Sequence, residues 1–203
     1  MAPDRAYRWL MGAGGQPAGD RFDLHVCASM LALAISQAAE ENLGLAATTG
    51  LDVGALGAFA RHYFPDAAPA LVKMAGGAPE IAPEEESVRD LLLMYASDRI
   101  EIARPLATLI ARRCREPRHL WQDLGLRNRG ELSDLMQRHF TRLKAKNVGD
   151  MKWKKFLYRL VCGSEGFTLC PAPVCSDCDD FASCFGSEEG VAQLTHIYNE
   201  ERV

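Results

Sequence analysis

Three features of the chain predict an all-α fold. Alanine and leucine are abundant, alternating β-branched runs are scarce, and apolar residues recur at the three-and-four spacing of one helix face through most of the 203 positions. With 48% hydrophobic and 25% charged residues, the chain can bury a substantial core and lacks the composition of a disordered carrier. The expected organisation is a helical domain over residues 1–163, with a C-terminal cysteine loop and tail over residues 164–203 packed on that body.

Taken in order, Asp20 or Asp23 can cap a helix that runs to about Leu43, with Leu24, Cys27, Leu31, Ala34, Ile35 and Ala38 on one stripe. Gly44 is its expected stop. A second helix opens near Asp52 and must end before Pro65; a third, shorter one covers Ala67 to Met74 ahead of the Gly76-Gly77-Ala78-Pro79 break. Residues 75 to 83 read as a surface loop. Pro83 and the acids Glu84, Glu85 and Glu86 then start a helix, because proline fits a first turn and acids there face the positive end of the helix dipole. Its buried side is Val88, Leu91, Leu92 and Tyr95, and Pro105 should kink or interrupt it. Another helix covers Leu106 to Arg115, a short turn holds His119 to Leu124, and Glu131 to Lys146 is periodic through Leu132, Leu135, Met136, His139, Phe140 and Leu143. Asp150 can cap the last long helix, which ends near Cys162 and Gly163 with Trp153, Phe156, Leu157 and Leu160 on its apolar stripe. No internal repeat or low-complexity tract interrupts this pattern.

Four of the seven cysteines, Cys170, Cys175, Cys178 and Cys184, fall within fifteen residues in the pattern C-x4-C-x2-C-x5-C. Thiolates are soft ligands that select iron–sulfur clusters, zinc or Cu(I), and four on one short loop can converge on a single centre. A structural zinc site takes two close pairs separated by a longer arm, and no second arm exists here. The C-x4-C-x2-C run matches the first three ligands of a plant-type ferredoxin loop, from which the close fourth cysteine departs. Pro171 and Pro173 stiffen the first interval, and Gly186 lets the chain turn after the last ligand. An iron–sulfur type cluster is the favoured reading, with zinc and disulfides as the alternatives.

Compartment bears on that choice. Met1 to Gly15 carries Asp4, Arg5 and Arg8 and has no apolar stretch of signal-peptide length, so a cytoplasmic location, where thiols stay reduced, is expected. The longest apolar run, Val26 to Ala39, is fourteen residues and too short to span a bilayer, so no membrane segment is expected.

The net charge of −4 conceals a division. From Arg104 to Arg159 there are fifteen Lys and Arg against five Asp and Glu, leaving an acidic remainder. Lys152, Lys155 and Arg159 lie at i, i+3 and i+7 on one face of the last helix, which leads directly to the cysteine loop. Such cations would stabilise an anionic thiolate cluster and attract an oxyanion such as molybdate or an acidic partner, unless they are simply a solvated face. No helix-turn-helix or finger spacing accompanies them, so nucleic acid is not an expected partner.

Three segments carry a resemblance: His119 to Leu126 (HLWQDLGL), Met151 to Arg159 (MKWKKFLYR) leading to Cys162, and the loop from Cys170 to Gly186. Together they resemble the NifQ family of nitrogen-fixation accessory proteins, over roughly the C-terminal half. The helical N-terminal half resembles that family in length and character. The resemblance implies a molybdenum–iron–sulfur cluster, or an iron–sulfur precursor, held by Cys170, Cys175, Cys178 and Cys184 and handed on for assembly of the nitrogenase iron–molybdenum cofactor. The implied recipients are the cofactor scaffold complex and the nitrogenase iron protein, with molybdate as a possible metal source.

The four thiolates could each bind one metal of a cubane, or three could bind iron with the fourth at or near molybdenum. His119 is the side chain to test as a further ligand, against the plainer reading of a capping or packing residue beside Pro117 and Trp121. His25, His62, His139 and His196 have the same plain reading. Cys162 is either a spare thiol for transfer or a small buried residue, whereas Cys27, Cys114, Trp121 and Trp153 read as packing residues. With Gly163, Gly166 and Gly186 around it, the loop is expected to be tied to the body at few points, so that release needs only local opening. No P-loop, G-x-G-x-x-G, nucleophile elbow or H-E-x-x-H is present, so the protein is not expected to be an enzyme. The other classes left open are an iron–sulfur redox protein and a zinc-stabilised interaction module.

Overall fold

The computed structural model describes residues 1–13, 20–97, 100–164, 184–185, 187–194 and 197. Among them are eleven helices and no strand, as the all-α reading expects.

Helix α1 (Pro3–Gly12), in a segment for which the sequence suggested no element, packs on α2 (Arg21–Glu41). Asp20 caps α2, its Oδ1 accepting the Phe22 N–H at 2.8 Å. From Leu24 to Ser36 every residue of α2 is buried, so the apolar stripe read from the sequence is one face of a helix covered on all sides. By length and composition α2 could cross a membrane, a longer apolar helix than the fourteen-residue run suggested; 78% of its apolar window is buried inside the fold, as in a core helix.

The stop of α2 comes two residues before Gly44. Asn42 takes the left-handed conformation at φ 55° and its N–H returns to the Ala38 carbonyl. Gly44 is instead a crossing point: a Cβ there would lie 2.4 Å from the Ala75 carbonyl oxygen. The chain beyond it bonds to the same stretch, with the Leu45 and Ala46 N–H groups 2.8 Å from the Met74 and Ala75 carbonyls respectively. Ala75 is therefore buried, inside a segment expected to be surface loop. Helices α3 (Leu45–Thr49), α4 (Val53–Tyr63) and α5 (Ala68–Lys73) follow, with Asp52 capping α4 as expected.

Helix α6 (Pro83–Met94) packs along α7 (Ile100–Cys114). Pro105 lies inside α7 and does not mark the break between helices. As the sixth residue of the helix it cannot donate to the carbonyl four residues back and its ring crowds that carbonyl, a cost that α7 absorbs without ending. The chain leaves α6 at Tyr95, and the Ser97 N–H is taken by the His139 carbonyl at 2.8 Å. Helices α8 (Leu120–Asp123), α9 (Arg129–His139), α10 (Thr141–Lys146) and α11 (Trp153–Ser164) complete the order. The periodic stretch from Glu131 to Lys146 is split at Phe140, whose backbone leaves the helical region while its ring is fully buried.

Asp150 does not cap α11. It stands at φ 51° and pairs with Arg129 at 3.0 Å. The approach to α11 is instead organised by Asn147, whose side chain accepts the Met151 N–H and donates to the Met151 carbonyl, both at 2.9 Å. Helix α11 packs on α6 and buries Trp153, Phe156, Leu157 and Val161; Leu160, expected on this stripe, is half-buried.

Candidate metal centre

Cys170, Cys175 and Cys178 lie outside the described residues, as do Asp179, Asp180 and His196. Cys184 is described: half-buried, with a free thiol. Its carbonyl accepts the Lys152 N–H at 2.8 Å, one residue before α11 begins. The next residue, Phe185, lies over Gly149, where a Cβ would sit 3.1 Å from the ring. The last cysteine of the motif is thus seated on the turn that feeds α11. Among the described residues, no group of three or more His, Cys, Asp or Glu is placed to hold a metal ion.

Beyond Cys184 the tail is fastened repeatedly. Glu188, with 3% of its side chain exposed, lies between Arg129 Nη1 at 2.9 Å and His119 Nδ1 at 3.6 Å. The other terminal nitrogen of Arg129 donates to the Asp150 and Met151 carbonyls at 2.6 and 3.2 Å. Gln122 Nε2 donates to the Val191 carbonyl at 3.0 Å, and Gln193 Nε2 returns to the Gln122 carbonyl at 2.9 Å. Leu194 and Ile197 are buried in the core. The tail after the motif is thus packed on the helical body through both apolar anchors and a buried carboxylate, while the expectation of few ties concerns the loop before Cys184, which lies outside the described residues.

His119 sits at the N-cap of α8, its backbone N–H donating to Gln122 Oε1 at 3.3 Å. That matches the plainer reading of this residue, and adds a contact to Glu188 that the sequence did not suggest. His25 is buried between the Tyr7 hydroxyl at 2.8 Å and Glu131 at 3.1 Å. His139 faces Asp23 at 3.2 Å, and His62 packs edge-on against Tyr63. Cys27 and Cys114 are buried, as expected of packing residues. Burial pushes both thiols up, that of Cys27 despite a hydrogen bond to Tyr63 and that of Cys114 to about 12 despite nearby Lys154. Both thiols are buried in the core, away from the four-cysteine segment's described end. Cys162 is half-buried on α11.

The cations of this region fall into two groups. Lys155 and Arg159 are exposed and Lys152 half-buried. Lys154 is drawn inward, its Nζ 2.5 Å from both Asp123 Oδ2 and the Glu116 carbonyl. Asp123 is buried, and desolvation holds its carboxyl above the usual range even though the Lys154 hydrogen bond acts to lower it. Glu188 and Arg129 were the residues the sequence did not single out. A buried Glu in an exposed-looking Ser-Glu-Glu-Gly stretch carries no periodic signal, and Arg129 was legible only as one charge of the basic tract.

Fold and motif together define an all-helical protein with a C-terminal four-cysteine segment whose last cysteine is fixed on the helical body. The sequence model of the NifQ family matches residues 26–186, and the chain belongs to the NifQ family. Among curated relatives it is 47% identical to a NifQ homolog of Sinorhizobium fredii over 111 residues, 55% of this chain and 48% of that protein. It is 43% identical to protein NifQ of Rhodobacter capsulatus over 110 residues, 54% of this chain and 61% of that one. Protein NifQ of Azotobacter vinelandii is 32% identical over 154 residues, 68% of this chain and 77% of that one. The match thus spans about half the length of the first of these relatives. No solved structure matches the chain. Family membership places the protein in nitrogen fixation.

Proposed function

We propose that the protein carries a molybdenum–iron–sulfur cluster, or an iron–sulfur precursor of it, on Cys170, Cys175, Cys178 and Cys184, and donates it for assembly of the nitrogenase iron–molybdenum cofactor. The observation that carries this reading is that the family match runs through residue 186 and so includes the whole four-cysteine motif. Soft thiolates suit a sulfide-rich cluster, and Cys27 and Cys114, buried in the core, are poor competitors for metal.

The cluster is cargo, and the protein is a carrier working in the cytoplasm, not an enzyme. Delivery is a ligand exchange in which groups on the acceptor replace the thiolates. The cofactor scaffold complex and the nitrogenase iron protein are the proposed acceptors, and molybdate the proposed source of molybdenum. The exposed cations Lys155 and Arg159 would favour approach of an acidic surface beside the motif.

Single replacement of Cys170, Cys175, Cys178 or Cys184 by alanine tests the ligand set. Each variant is expected to lose bound metal and sulfide while keeping its helical circular dichroism. Full metal content in all four variants would overturn the assignment.

A further inference from the structure

We propose that Glu188 is a positioning residue for the cysteine site, held by Arg129 and His119 so that Cys184 stays seated at the start of α11. This rests on the reading of Cys184 as a metal ligand and concerns what keeps it in place.

Glu188 lies four residues after Cys184, and its carboxylate is buried against two elements, the N-cap of α8 and the first residue of α9. A carboxylate withdrawn from water is costly unless it is paired, so this arrangement favours one register of the tail more than it adds net stability. Retention of the tail does not require a charge, since Leu194 and Ile197 already anchor it in the core. What the charge adds is coupling through Arg129. One end of that guanidinium faces Glu188, and its Nη2 holds the Asp150 and Met151 carbonyls, immediately before the Lys152 N–H that binds Cys184. Arg129 therefore grips both sides of the seat, the turn that offers the N–H and the tail that presents the carbonyl. Phe185 over Gly149 closes the same seat sterically. Detaching Cys184 with the tail in place strains this assembly, and removing the Glu188 charge releases it.

The test uses the full chain with Glu188→Gln and, as a second variant, Arg129→Lys, which keeps the charge but loses the fork that reaches two carbonyls. The first readout is the alkylation rate of Cys184 by N-ethylmaleimide in metal-free protein, followed by peptide mass spectrometry. The second is the rate at which protein reconstituted with iron and sulfide yields iron to a ferrous chelator. Both rates are expected to rise about tenfold or more, because breaking a buried pair leaves its partner uncompensated. Labelling of Cys27 and Cys114 and the helical circular dichroism should stay near the parent's, with the melting temperature lowered by the broken pair but unfolding still a single transition. Faster Cys184 labelling in a protein that takes up no iron would uphold the positioning role and remove the metal reading. Parent-like labelling in both variants would overturn the proposal, as would acceleration at all cysteines together with loss of helical signal.

Discussion

Replacing Lys154 with methionine removes the cation that fastens α11 to α8. Lys154 Nζ stands 2.5 Å from Asp123 Oδ2, and the two side chains are 17% and 1% exposed. Methionine fills similar space but leaves Asp123 buried without its counter-charge, a loss of about 3–5 kcal/mol for a broken buried pair. For a chain of this size that corresponds to a fall of about 6–20 °C in melting temperature. The pH dependence has a definite sign. Burial already holds the folded-state Asp123 carboxyl above its usual value, and losing Lys154 raises it further. A raised folded pKa means the destabilisation is complete above that pKa and disappears below the unfolded value of about 3.9, so the deficit of the variant shrinks as pH falls. The double variant Lys154→Met with Asp123→Asn removes both charges and should recover most of the loss. Urea unfolding of the three proteins at neutral and acid pH measures each quantity. A Lys154→Met variant within about 1 kcal/mol of the parent, or a double variant no more stable than the single one, would refute the reasoning.

Glu131 should behave in the opposite sense: burial acts to raise its carboxyl, but His25 and Arg127 outweigh it and hold it below the usual range. Its stabilisation is therefore present above about pH 4.3 and lost as pH falls through the lower folded value, so Glu131→Gln should show a flatter acid limb in urea unfolding. Neutralising Lys152, Lys155 and Arg159 together should leave metal content intact and slow cluster delivery to an acceptor, with the parent's rate falling toward the variant's as salt rises; equal, salt-independent rates would exclude electrostatic docking. Gly149→Val should displace Phe185, since a Cβ already meets the ring at 3.1 Å, and should expose Cys184 to alkylation without lowering helical content.

The helices were legible wherever their ends carry local chemistry. Asp20, Asp52 and Pro83 sit at the helix starts expected of them, because capping and proline geometry are decided within a few residues. Ends set by tertiary contact were not legible. Asn42 takes the left-handed position ahead of Gly44, which is occupied by the crossing with Gly76; Phe140 breaks a periodic stretch to bury its ring; Asp150 serves Arg129 instead of capping α11. The motif was visible because cysteine spacing is itself the chemistry, and the packing role of Cys27 and Cys114 followed from their helical stripe. Glu188 was hidden for the converse reason: its importance lies in burial against Arg129 and His119, residues 59 and 69 positions away in the chain. Lys154 likewise counted only as one charge of the basic tract, and its pairing with Asp123 is set by tertiary contact.

The carrier reading is tested most directly by measuring iron, molybdenum, zinc and acid-labile sulfide per chain on protein isolated without oxygen from cells making nitrogenase. Molybdenum together with several irons and sulfides per chain is the expected result. Zinc without sulfide, or iron and sulfide without molybdenum in protein from molybdate-replete cells, would contradict it.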